Sequence, residues 1–415
     1  MMSDIRWTGQ AAAVAQVDKF TPANVEIGDI FTLTMTMNDG RTASISYTAT
    51  VASTANVTDG LTSTWNNSTN ALIMTLTASD QSTYMDLTAK TAGVAFTVAA
   101  TTTEGGGTGD QTLTRAAVTA NAGPKDWSSA DNWDGGAVPG GAASQNVYLD
   151  NWTEDILYGL DQSGIANTLD SLNSDQSFTG KIGPDGATGY AGDYLQIKAT
   201  VLNIGQHNGP GTPSGSGRIK IDLGSTACTV NIHNAGNPAD PNKPAIRLLA
   251  NNAATTIEVH KGKVGIAWEP GETSTVGTIT ESFVTQKGSD ADVYIGSGVT
   301  LTTFNKTGGD AVLGCAATTV NNDGGNMTTV GSGVIATLNI TAGTITSNST
   351  GTITALNTTG TGVIDLLKSA AARTITTAKI GDTGKIKYDP SVVTMTNKVQ
   401  PFDASGAIVI QAAAA

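Results

Sequence analysis

Four short segments near the C-terminal end share one pattern, and that pattern constrains the fold more than any other feature of the chain. They are Thr303-Phe304-Asn305-Lys306-Thr307-Gly308-Gly309, Thr319-Val320-Asn321-Asn322-Asp323-Gly324-Gly325, Thr337-Leu338-Asn339-Ile340-Thr341-Ala342-Gly343 and Ala355-Leu356-Asn357-Thr358-Thr359-Gly360-Thr361. In each, an apolar residue is followed directly by Asn, and the Asn positions step by 16, 18 and 18 residues. Ankyrin and tetratricopeptide units need about 33–34 residues, so a step this short suits one coil of a parallel β-solenoid. Equivalent residues of successive coils then lie about 4.8 Å apart, which stacks Phe304, Val320, Leu338 and Leu356 in a core. Asn305, Asn321, Asn339 and Asn357 form a ladder beside them, each amide bonding its equivalents above and below. The expected place for that ladder is a turn, because Asn tolerates left-handed backbone angles.

Composition agrees with a repeated β architecture. The 415 residues include 49 Gly, while only 14% are charged and 5% aromatic; an ordinary globular domain has about a quarter charged. Thr is abundant beside Val, Ile, Gly and Asn, which is strand-and-turn composition. The expected class is all-β: a right-handed parallel β-solenoid preceded by a small β-rich N-terminal module, α+β or sandwich-like. Weaker echoes of the repeat occur at Thr229–His233, Thr256–His260 and Thr374–Thr377, and the proline-bearing stretches 209–217 and 236–244 read as projecting loops. At about 18 residues per coil, roughly thirteen coils rise to about 60 Å.

The chain divides into five parts. Residues 1–103 form the N-terminal module, expected to attach the rest to a larger body. Phe31, Leu33, Met35 and Met37 alternate with polar residues up to Asn38-Asp39-Gly40, then Ile45, Tyr47 and Ala49 alternate again, which is a hairpin pattern. Val57, Leu61 and Trp65 at i, i+4 and i+8 predict one short helix. Ala71–Thr77, Tyr84–Thr88 and Val94–Val98 read as further strands. Residues 104–125 are a linker opened by Glu104-Gly105-Gly106-Gly107, residues 126–152 a capping segment with Trp127 and Trp133, residues 153–395 the solenoid, and residues 396–415 a tail. A solenoid end exposes apolar core and unpaired strand edges, so bulky side chains are needed to close it.

Charge and chemistry-bearing residues exclude several classes. The net charge is −13 and the cations read as scattered, with no stripe to neutralise a nucleic-acid backbone. No run of eighteen apolar residues predicts a membrane helix, and the start Met1–Trp7 lacks a secretory signal, so synthesis in the cytoplasm is expected. Cys228 and Cys315 lie in separate β-like segments and read as buried apolar residues, not as a disulfide or zinc ligands. His207, His233 and His260 lack helical metal-pair spacing and read as single surface residues, the alternative being a metal site, since steps of 26 and 27 residues on a solenoid can bring two of them to one face. No nucleophile, Walker, kinase or zinc-protease motif occurs, so neither an enzyme nor a cofactor is expected. The enzymatic alternative is polysaccharide cleavage, with Asp290 and Asp292 as the weak candidate pair and Glu269 with Glu272 as a second close pair; glycosidase carboxyls stand about 5–9.5 Å apart.

Two stretches carry resemblances. Asp126-Trp127, Asn132-Trp133, Val138-Pro139 and Asn146-Val147 resemble a Trp-containing motif that precedes right-handed β-helices in large surface proteins, with Asn146 where that motif has Asp. Trp7–Val17, Thr21–Phe31, Ile45–Thr50 and Asn56–Leu61 resemble the opening of structural proteins of tailed bacteriophages, and this likeness extends over about the first 260 residues. It implies a virion surface protein of the head-fibre, capsid-decoration or tail-fibre type, usually trimeric, contacting other virion or capsid proteins and host surface glycan, and extracellular once assembled. A bacterial adhesin or surface-layer protein is the alternative from another class.

Overall fold

The computed structural model describes residues 3–184, 194–206, 219–235, 243–282, 293–399 and 406–410. Most of them are in strands, as an all-β reading requires. Two units with separate cores are seen, one antiparallel and one parallel.

The antiparallel unit holds two sheets and a helix. Its three-stranded sheet has the order Thr42–Thr48, Ile30–Met37, Phe96–Thr103, and its four-stranded sheet the order Leu76–Asp80, Met85–Ala89, Val17–Ala23, Thr112–Thr119. Ile30–Met37 alternates half-buried and buried along its length because its apolar residues recur every second position. The helix Thr54–Asn66 is capped by the Ser53 side chain, which accepts from the Asn56 amide, and it buries Val57, Leu61 and Trp65 against the sheets. Gly60 is fixed by packing: a Cβ there would lie 2.2 Å from the Tyr47 ring. Ala71–Thr77 is not a strand; the 3-10 turn Ile73–Thr75 precedes the strand that begins at Leu76.

Both boundaries of this unit differ from the sequence reading. Thr112–Thr119, placed in the linker above, pairs along Val17–Ala23. Glu104–Asp110 is also tied down, since Gly105 N donates to Asp29 Oδ1 at 3.1 Å and Thr108 N to Glu26 Oε2 at 2.7 Å. At the other end, Ser3–Arg6 leaves the module altogether and pairs in parallel with Gln145–Tyr148. A glycine-rich composition does not report backbone hydrogen bonds to distant carboxylates, which is why Glu104–Asp110 has the composition of a linker but is held in place.

The parallel unit is a single sheet system of 22 strands. Over most of its length each strand pairs with the strand two later, as Ala199–Gln206 does with Thr229–Ile232 and Ile219–Asp222 with Ile246–Leu249. The pairings chain into thirteen levels, from Arg6 and Tyr148 through Asn173 and on to Asn357, Lys379 and Val399. The step is not uniform. It is 16–18 residues only between Asn305 and Asn357, and 22–30 between Tyr148 and Asn305, because upstream levels carry longer loops. The proline-bearing stretch 209–217 and residues 236–242 lie outside the described residues. Beyond Val393–Val399, the last described strand, Ala407–Ile410, pairs with Lys385–Tyr388.

Candidate functional site

Phe304, Val320, Leu338 and Leu356 are Cα partners in successive levels and each is fully buried. The same row continues upstream through Ile5, Val147, Leu172, Leu202, Val230, Ile257 and Ile279. The adjacent row carries the carboxamides. Asn321, Asn339 and Asn357 each donate Nδ2 to the Oδ1 of the Asn one level before, at 2.8, 2.7 and 2.8 Å. A second run does the same upstream: Asn203 donates to Asn173 at 2.8 Å and Asn231 to Asn203 at 2.9 Å. Glu258 and Thr280 interrupt the two runs.

The ladder is not at a turn. All four C-terminal Asn lie inside strands, and none has positive φ. A side chain on the outer face of a strand meets its equivalent one spacing away, so the amides align without a corner. Asn339→Ala removes two ladder bonds and should cost about 1–2 kcal/mol. Asn339→Asp, which can only accept, should be as damaging, read as a fall in the urea midpoint.

Trp127 and Trp133 pack together at a ring-centroid distance of 4.7 Å, and Trp133 Nε1 donates to the Trp127 carbonyl at 2.9 Å. A third ring missed in the sequence completes them: Trp7 stands 5.0 Å from Trp133 and 6.4 Å from Trp127. All three are buried and belong to the same core of the parallel unit as Ile5 and Val147. The neighbouring Asp126 carboxyl is pushed up by burial, while bonds from Asn121 and the Ser128 amide pull it down.

A lateral polar cluster brings two tyrosines, an arginine, a tryptophan and two glutamates together. Lys220, Arg247, Gly265 and Tyr294 form one row of Cα partners, with the Tyr194 ring 5.9 Å from Lys220 Nζ, and Tyr194, Arg247 and Tyr294 meet the loop that holds Trp268, Glu269 and Glu272. Tyr194 Oη donates to Glu272 Oε1 at 2.7 Å, Glu269 N to Glu272 Oε2 at 2.8 Å, and Arg247 Nη1 to Glu269 Oε1 at 2.6 Å. Burial and the Glu272 carboxylate push the Tyr194 hydroxyl well above the ordinary tyrosine range, which keeps it a donor. Trp268 and Tyr294 contact edge to face at 4.5 Å. The two carboxylates are thus held by this chain's own donors, and the arrangement clamps the loop to the sheet.

The remaining candidates are placed as follows. Asp290, Asp292 and His207 lie outside the described residues. His233 and His260 are not single: their rings stack in parallel at 5.4 Å, and burial, then the His260 charge, lowers the His233 pKa. Cys228 and Cys315 are buried, each thiol pushed up to about 12 by desolvation, so both are unreactive at neutral pH. Glu26, Asp29 and Glu104 bring carboxylate oxygens within 4.8 Å of one another, and these oxygens accept amide bonds from the Gly105–Thr108 loop. Among the described residues, no helix is long and apolar enough to cross a membrane.

Comparison with protein families, curated proteins and solved structures gives no match to this chain.

Proposed function

We propose that this chain is a non-enzymatic structural protein of a phage virion surface, of the head-fibre, capsid-decoration or tail-fibre type. In this reading the antiparallel unit attaches to the particle and the parallel unit projects from it as a right-handed β-solenoid. The observation that carries the reading is the unbroken thirteen-level stack, since twelve spacings make a rod of about 58 Å from one continuous core. The hand follows from the rule that parallel strands joined by crossovers in one sheet wind right-handed in about 98% of cases. Resemblance of the N-terminal segments to tailed-phage structural proteins supplies the particle.

A trimer is the expected assembly, with other capsid proteins at the attachment end. Electron microscopy of purified particles tests the role: rods should occur in symmetry-related copies, and particles without them would remove it. Light scattering of the purified chain should give three times 42.1 kDa; a monomer would remove the trimer alone.

A further inference from the structure

Three polar side chains follow one another inside the core of the stack. Glu281, Lys306 and Asn322 are Cα partners in successive levels, in the row that holds Val259 one level before and Ile340 one level after, and all three are fully buried. Aliphatic side chains suit such a row, because a buried charge or amide is unfavourable unless partners are supplied.

The partners of these three groups turn them toward one another. Lys306 Nζ lies 3.7 Å from Glu281 Oε1 and donates to the carbonyls of Gly308, Gly309 and Gly324. Gly324 stands two residues beyond Asn322 in the same strand, so the amine reaches into the level that carries the amide. Asn322 Nδ2 donates to Ala342 O at 2.7 Å, while its Oδ1 is buried with no hydrogen-bond partner among the described residues. A nucleophile, a proton carrier and an amide carbonyl thus share one row closed to water, each a strand spacing of about 4.8 Å from the next.

We propose that Lys306 and Asn322 join in an isopeptide bond between adjacent levels, with Glu281 as the catalytic proton carrier. Away from water, an ammonium beside a carboxylate gains by passing its proton across, which leaves both groups neutral. The Nζ lone pair then attacks Asn322 Cγ, forming the Nζ–Cγ bond and moving the carbonyl electron pair onto Oδ1. As the carbonyl re-forms, the Cγ–Nδ2 bond breaks; Glu281 hands its proton to Nδ2, which leaves as ammonia, and takes one from Nζ in return. Nothing is oxidised or reduced, and no co-reactant is consumed. Holding amine and amide in neighbouring levels makes the attack intramolecular, which supplies the effective concentration that two free side chains lack. The inference goes beyond the virion reading and does not depend on it, because the purified chain alone carries every group that reacts.

Intact-mass spectrometry of the full chain should give a mass one ammonia below that of the sequence, and peptide mapping should recover the Lys306 and Asn322 segments as one branched peptide. The map is needed because an Asn that closes on its own backbone loses the same mass without forming a branch. Glu281→Gln, which keeps the shape of the side chain but cannot carry the proton, should restore the full mass and separate the two peptides. Should that variant unfold by circular dichroism, Asn322→Ala takes its place; it keeps Glu281 and Lys306 and should likewise show the full mass. A wild-type chain at the mass of its sequence, a branch between other residues, or a branch that survives Glu281→Gln would each overturn the proposal.

Discussion

Glu281→Ala should lower the stability of the parallel unit by about 3–5 kcal/mol. Glu281 and Lys306 are Cα partners in adjacent levels, both side chains are fully buried, and Lys306 Nζ lies 3.7 Å from Glu281 Oε1. Lys306 also donates to the carbonyls of Gly308, Gly309 and Gly324, the last at 3.3 Å. Removing the carboxylate leaves an ammonium in the core with carbonyl dipoles alone to hold its charge. In Glu281→Leu with Lys306→Met the charge is gone but those carbonyls lose a donor. A double-mutant cycle on urea midpoints should therefore show at least about 2 kcal/mol of favourable coupling, and additive losses would mean that the two groups act separately. The pair occupies the row held one level earlier by Val259 and two levels later by Ile340, so only one alignment of levels brings opposite charges together.

Trp133→Ala should cost about 3–5 kcal/mol, as truncation of a buried aromatic does. Its ring contacts both Trp7 and Trp127, and its loss opens the first level at the point where Ser3–Trp7 docks. Hydrogen exchange should therefore rise at Ile5–Trp7, with much smaller change near Leu356. Trp268→Ala, at a half-buried position on the side of the sheet, should cost less than half as much. Equal losses at the two Trp positions would show that the three-ring cluster has no special part in closing the stack.

How much of this could be read in the sequence follows from spacing. Asn305 to Asn357 are legible because their loops are short and nearly equal, so a ladder in space is also a period in the chain. Asn173, Asn203 and Asn231 make the same bonds, yet steps of 30 and 28 residues hide them among loops of unequal length. The helix Thr54–Asn66 was legible from three apolar residues on one face, a purely local signal. Trp7, by contrast, reaches Trp133 across more than 120 residues, and no local pattern marks it. Tyr194 and Glu272 meet across 78 positions for the same reason. Tight coupling of Glu281 to Lys306 was equally hidden, since neither residue type advertises burial.

The docking of Ser3–Trp7 against Gln145–Tyr148 makes the whole antiparallel unit an insertion between the first and second strands of the stack. Its outgoing and returning chains run side by side at the neck, where Thr8 N donates to Asn132 O at 2.7 Å and Val14 pairs with Ala122. A single-chain joint would swivel about its bonds, but two strands entering together resist torsion. Pulling on one unit loads both strands in parallel, and breaking the joint requires peeling Ser3–Arg6 from its neighbour as well as extending the neck. Cleavage anywhere between residues 8 and 122 would leave the two halves associated, held by a seam of hydrogen bonds and three indole rings.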